Sequence, residues 1–137
     1  MGNRRAVRVV ERAEARRSLV KAAEFLQSAR DDHVAARWTV AGLAAIHAGI
    51  AAADAALIAS AGIRSVSQDH SAVVDILTDD VVEFRTAQRR HLSGLLKMKN
   101  AVAYEQRLLT VVESRQLVDH AERLVRWART VVENHVG

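Results

Sequence analysis

Three residues near the end of a long helical pattern carry side chains that could act on a phosphate group. Lys99 supplies a positive charge, Asn100 can hold or orient an oxygen atom, and Tyr104 can donate a hydrogen bond. The unperturbed pKa of a tyrosine is about 10, so Tyr104 is a poor proton carrier at neutral pH. The three residues therefore offer charge and hydrogen bonding, but no ready proton carrier.

His91 is a further candidate for proton transfer, because it interrupts the apolar seam of the same helical pattern. Eight residues separate it from Lys99, which is about 12 Å along a helix. The two side chains would therefore serve one catalytic centre only across a dimer. An interface or core histidine with a satisfied hydrogen bond is the simpler interpretation. Lys99, Asn100, Tyr104 and His91 remain catalytic candidates with no assigned role.

Basic residues are concentrated near the N-terminus, and the chain has a formal net charge of +4. Arginines at positions 4, 8, 12 and 16 recur every four residues, so on a helix they would form one ridge. Such a surface can attract nucleic acid without specifying its sequence, although a solvated helix face is the alternative. The predicted nucleic-acid-binding residues are Lys99, Asn100, Arg89, Arg90, Arg8 and Arg12.

The composition favours an all-α fold. Proline is absent, and the chain is rich in alanine and leucine, which are strong helix formers. The absence of cysteine excludes a disulfide framework and a thiolate zinc site. The histidine spacing supports no metal site, so we expect neither a metal nor a cofactor.

The pattern predicts one domain over residues 1–137, an antiparallel up-and-down bundle of four long helices and one short helix. Residues 1–18 are expected to be a basic N-terminal extension of the first helix. Asp31 and Asp32 are expected to break the chain before the second helix, and Gly62 to end it. The predicted helices cover residues 7–29, 34–61, 69–77, 81–104 and 113–134.

The second predicted helix is apolar nearly all round, which is typical of the centre of a bundle or of a surface shared with a partner chain. Its small residues would let another helix approach closely. We therefore expect a homodimer interface at Ala41, Ala45, Ala48 and Ala52. The most apolar run contains Asp54 and is too short to span a bilayer, so no membrane contact and a cytoplasmic location are expected.

Three stretches taken together resemble the HEPN family (higher eukaryotes and prokaryotes nucleotide-binding domains). They are an alanine-rich segment, a His-Ser segment and the segment around Lys99, at residues 43–53, 70–77 and 98–105. The resemblance implies a helical bundle that pairs through its central helices. In active members, an Arg-Asn-x-x-x-His motif from both subunits cleaves RNA at the dimer interface. In this chain Lys99 stands in the arginine position, Tyr104 stands in the histidine position, and Asn100 is retained.

Because both of these positions differ from the motif, the resemblance is used to locate the site in this chain and not to assign ribonuclease activity to it. Lysine lacks the planar fork with which arginine holds a phosphate. The leading hypothesis is a non-catalytic HEPN-like homodimer that binds nucleic acid or a protein partner. One alternative is a metal-independent endoribonuclease, or the toxin component of a pair with a nucleotidyltransferase partner. Another is a structural protein-interaction module.

Overall fold

A computed structural model of the chain describes residues 6–67 and 69–137. The described part is mostly helical, as the composition predicts, and has five helices and a two-stranded antiparallel sheet. In chain order the elements are β1 (Val7–Val9), α1 (Glu14–Val34), α2 (Trp38–Ala61), β2 (Ile63–Ser65), α3 (His70–Asp80), α4 (Thr86–Tyr104) and α5 (Val111–Val136).

Helix α2 forms the centre of the helical bundle, in contact with α1, α4 and α5. Its alanines at positions 41, 45, 48 and 52 are fully buried inside the chain's own core. A side chain with no exposed surface has none to share with a second copy. The assignment of Ala41, Ala45, Ala48 and Ala52 to a homodimer interface is therefore wrong for this fold, whereas the dimer itself stays a prediction.

Among the described residues, α2 is the one helix long and apolar enough to cross a membrane. However, 78% of its most apolar window is buried against the rest of the chain. That burial is typical of a core helix and is consistent with a soluble protein.

The N-terminal segment differs from the predicted helical extension. The prediction of helix over residues 7–13 is wrong, since Val7–Val9 form β1, which pairs with β2. The reason is local: Val7, Val9 and Val10 are β-branched and favour an extended backbone. The arginine ridge is consequently absent, because Arg8 lies on a strand and Arg12 in a turn. Arg4, which would begin that ridge, lies outside the described residues.

The break between the first two helices comes later than predicted. Asp31 and Asp32 lie within α1, and the chain turns at Ala36, which has a φ of 62°. An ion pair of 2.9 Å between Arg37 and Asp32 connects the two sides of this turn. Asp32 therefore joins the end of α1 to the start of α2 instead of breaking the helix.

Other boundaries also differ from the predicted ones. Helix α4 begins at Thr86, because Val81 and Phe84 bury their side chains in a non-helical turn. Helix α5 begins at Val111, where Thr110 and Glu113 form a capping box. The predicted stop at Gly62 is confirmed: Gly62 has a φ of 65° and donates its N–H to the carbonyl of Ile58.

We predict that Ala48→Glu destabilises the folded monomer by about 3 kcal/mol or more, because a carboxylate would enter the fully buried core. Urea denaturation followed by circular dichroism measures the change. Val40→Glu is the matched control on the same helix, since Val40 is half exposed. Equal stability of the two variants would contradict the central position of α2.

Candidate anion-binding site

A polar cleft lies beside α2, and we call it the Asp54 cleft. It consists of two cavities of about 140 and 350 Å³ that share Asp54 and Arg64 in their walls. Lys99 of α4 lines the smaller cavity, and Lys21 of α1 lines the larger one. His47, which lies on the same face of α2 as Asp54, also lines the larger cavity. Four elements of the fold thus bring three cations, one imidazole and one carboxyl group together.

Asp54 is the acidic residue of the cleft, and its side chain is one-fifth exposed. Burial raises its pKa to about 6, although the charges of Arg64 and Lys21 act in the opposite direction. One guanidinium nitrogen of Arg64 lies 3.8 Å from the carboxylate. Because the other two cations have no acid of their own in the cleft walls, the cleft carries a net positive charge at neutral pH.

His47 lies seven residues before Asp54 on α2. Its ring stacks on that of Phe25 at a centroid distance of 5.3 Å. Burial lowers the pKa of His47, and the charges of Lys99 and Lys21 lower it further. The imidazole is therefore neutral at pH 7, with one nitrogen able to donate a hydrogen bond and the other able to accept one. The stacking holds the ring in one orientation at the cleft wall.

The small sheet brings a further arginine to the same side of the molecule. Arg8 of β1 lies directly opposite Arg64 of β2, so the two side chains share one face of the sheet. Like charges in this arrangement destabilise a sheet. Arg12 lies beside the left-handed turn at Gly62. A Cβ added at Gly62 would lie 3.7 Å from Cγ of Arg12. Both arginines predicted from the sequence thus lie near the end of α2.

Lys99 is the only one of the three residues of the C-terminal α4 segment that lines the described cleft. Asn100 is exposed, and Tyr104 is 77% exposed. A rotation of 100° per residue places Tyr104 about 140° around the helix from Lys99. Within one chain, the structure therefore does not bring Lys99 and Tyr104 to a common centre.

The other predicted residues of α4 lie away from the cleft. Arg89 donates a hydrogen bond of 3.2 Å to the hydroxyl of Thr78, and Arg90 is exposed. His91 is buried, and its Nδ1 atom lies 2.9 Å from the Nδ1 atom of His120 on α5. The interpretation of His91 as a buried histidine with a satisfied hydrogen bond is confirmed. It is not brought next to Lys99.

Sequence reasoning missed the importance of two cleft residues. Arg64 lies between two predicted helices, and its role depends on strand β2, which the sequence pattern does not predict. Lys21 carries no sequence signal beyond its positive charge in the basic N-terminal part of the chain. For His47 and Asp54 the sequence holds a weak signal. They are the only titratable residues of α2, and their spacing of seven positions puts them on a similar face.

No protein-family model matches the chain. No curated protein matches it either. Within the described residues, no group of three or more histidine and acidic side chains is arranged to hold a metal ion.

We predict that Asp54→Asn becomes more stabilising, relative to the unchanged chain, as the pH rises from 4 to 7. The folded chain holds the Asp54 proton up to a pH of about 6, whereas the unfolded chain loses it near the ordinary aspartate pKa of 3.8. Folding therefore becomes less favourable as the pH rises through this window, by about 3 kcal/mol if no other group compensates. Asparagine removes this loss.

Urea denaturation of both proteins at pH 4, 5, 6 and 7 measures the difference in unfolding free energy. Asp79→Asn, a substitution of an exposed aspartate on α3, is the control and should show no such trend. A difference for Asp54→Asn that does not vary with pH would contradict the raised pKa.

Proposed function

We propose that this protein binds single-stranded nucleic acid through phosphate groups in the Asp54 cleft, as a non-catalytic HEPN-like protein. The observation that carries the proposal is that Lys21, Arg64 and Lys99, from three separate elements, line a cleft whose walls contain one carboxyl group. A phosphate group in the cleft would offset this surplus of positive charge.

The arrangement of Arg8 and Arg64 gives independent support. Two arginines directly opposite each other on a sheet repel, and a bound anion between or beside them would remove the cost. The basic surface continues from Arg64 to Arg8 and Arg12, beyond the walls of the two cavities. A polymer with a phosphate at every unit matches this extended surface better than a single small anion does.

The same proposal includes the arrangement of the helices. The four helices of 19 to 26 residues and the one of 11 residues would form the antiparallel up-and-down bundle of the HEPN family. A cytoplasmic location is also part of the proposal. The homodimer needs a different surface from the buried alanines. Tyr104, Leu108 and Val112 supply one, since all three are more than half exposed where α4 ends and α5 begins.

We expect Lys99→Gln and Arg64→Gln to weaken binding of a fluorescent single-stranded oligonucleotide by a similar factor for every base sequence. Each should also reduce the slope of log affinity against log salt concentration by about 0.7, the value for one phosphate contact on a single strand. Fluorescence anisotropy between 50 and 300 mM salt measures both quantities.

Arg129→Gln is the matched control, because Arg129 is exposed on α5 and lines none of the cavities around the cleft. It removes the same charge from the whole molecule. If all three variants bind equally, the protein's general charge and not the cleft attracts the oligonucleotide. If the unchanged protein fails to bind at 50 mM salt, the proposed function is wrong and a protein-interaction module is the better hypothesis.

A second function is favoured by one observation. His47 is neutral, lies in the same cleft as Asp54, and is influenced by the charge of Lys99. A neutral imidazole and a carboxyl group with a pKa of about 6, beside a cation, could support metal-independent RNA cleavage. This is the alternative of an endoribonuclease, or of a toxin component with a nucleotidyltransferase partner. Tyr104 would have no part in it within one chain.

We expect purified protein to leave mixed RNA intact at pH 6 to 8, because Lys99 cannot clamp a phosphate with two parallel hydrogen bonds. Gel electrophoresis after prolonged incubation with a chelator measures cleavage. Cleavage that disappears in both His47→Gln and Lys99→Ala, and persists in Tyr104→Phe, would establish the ribonuclease instead. Cleavage that persists in all three variants would indicate a contaminating nuclease.

A further inference from the structure

A histidine pair joins α4 to α5 on the flank of α4 that faces away from the Asp54 cleft. The Nδ1 atoms of His91 and His120 are 2.9 Å apart, and the two rings are tilted by 55°. One neutral ring must donate its Nδ1–H, and the other must accept it. The pair therefore holds a single shared proton between the two Nδ1 atoms in its neutral state.

Gly94 makes room for this pair. A Cβ added at Gly94 would lie 2.8 Å from Nε2 and 3.0 Å from Cδ2 of His120. The ring thus rests directly on the backbone of α4, where any larger residue would displace it. The glycine lies in the middle of a helix, where it is otherwise less favourable than alanine by about 1 kcal/mol. The site accordingly depends on a residue that the helix itself does not favour.

Two arginines flank the pair at the wall of an open cavity of about 370 Å³. Arg90 lies on α4 and Arg123 on α5, and Gln116 lines the same cavity. No ion pair within the described residues involves either arginine. Asp119 is the one acidic residue in the cavity wall, so two cations face one carboxylate.

Burial and the nearby cations lower the pKa values of both rings. Burial lowers the pKa of His91, and the charges of His120, Arg123 and Arg90 lower it further. Burial also lowers the pKa of His120, where Asp119 acts in the opposite direction and Arg90, Arg123 and Lys97 add to the lowering. An anion between the arginines would reverse part of this effect by favouring the protonated rings.

We propose that the His91–His120 pair, with Arg90 and Arg123, forms a second anion-binding site that takes a tetrahedral oxyanion such as a phosphate group and gains a proton when it binds. Arginine forks match the geometry of such an anion, and an imidazolium adds a charge-assisted hydrogen bond. The site is separate from the Asp54 cleft, and the proposal stands or fails independently of the cleft.

The experiment follows the Cε1–H resonances of His91 and His120 by NMR during titration with sulfate, whose charge is constant between pH 5 and 8. We expect sulfate to shift both resonances and to raise the midpoint of their pH titration. Its affinity should be about fivefold greater at pH 5.5 than at pH 7.5, because one additional positive charge faces the anion. An unchanged titration midpoint, or no effect on either ring at pH 5.5, would overturn the proposal.

Two variants separate this site from general attraction to a basic protein. Arg123→Gln should reduce sulfate affinity about tenfold, the effect of losing one charged hydrogen bond, and Arg129→Gln should leave it unchanged. Gly94→Ala retains every charge but displaces the His120 ring, so it should remove the pH dependence. Equal affinity in Arg123→Gln and Arg129→Gln, or a pH dependence that survives Gly94→Ala, would overturn the site.

A single-stranded oligonucleotide then identifies the source of the oxyanion. If it shifts the same two resonances, and Arg123→Gln abolishes that shift, the site takes phosphates of a nucleic acid. If sulfate shifts them and the oligonucleotide does not, the site takes a free oxyanion. Loss of oligonucleotide binding in Lys99→Gln with retention of the sulfate effect would show that the two sites are independent.

Discussion

The close approach of α2 to α1, α4 and α5 is the constraint on which the rest of the structure depends. The helix achieves it with alanine at most of its buried positions, so that its neighbours pack against its backbone. A helix buried on nearly every side has little room for a charged group. His47 and Asp54 can be accommodated only where the packing opens, and that opening is the cleft between α1, α4 and the small sheet.

The electrostatics of the cleft follow from this packing. The partial burial of Asp54 favours its neutral form, and Arg64 at 3.8 Å favours the charged form. If stabilisation of Asp54 were the only purpose of the cations, one of them would suffice. Lys21 and Lys99 exceed this requirement, and the opposed pair of Arg8 and Arg64 adds repulsion within the sheet. Local arrangements that lower stability without a gain for the fold are expected at functional sites.

The sequence predicted much of the helical framework because helical periodicity and capping signals act over short distances. The end of α2 at Gly62, for example, depends on the left-handed backbone of one glycine. By contrast, β1 and β2 are distant in sequence, and three residues carry too little alternation to reveal a strand. The cleft was only partly foreseen, because Arg64 reaches Asp54 through that sheet. The burial of the four alanines could not be assigned, since an apolar helix surface does not show whether its own chain or a partner covers it.

The position of α4 gives the two proposed sites a common framework. Leu92 and Leu96 line the Asp54 cleft together with Lys99, and His91 and Gly94 face α5 on the other flank. The Asp54 cleft takes its other cations from α1 and β2, whereas the histidine pair takes its second arginine from α5. One helix thus contributes to two sites whose remaining groups come from different neighbours, so a substitution in one site leaves the groups of the other in place.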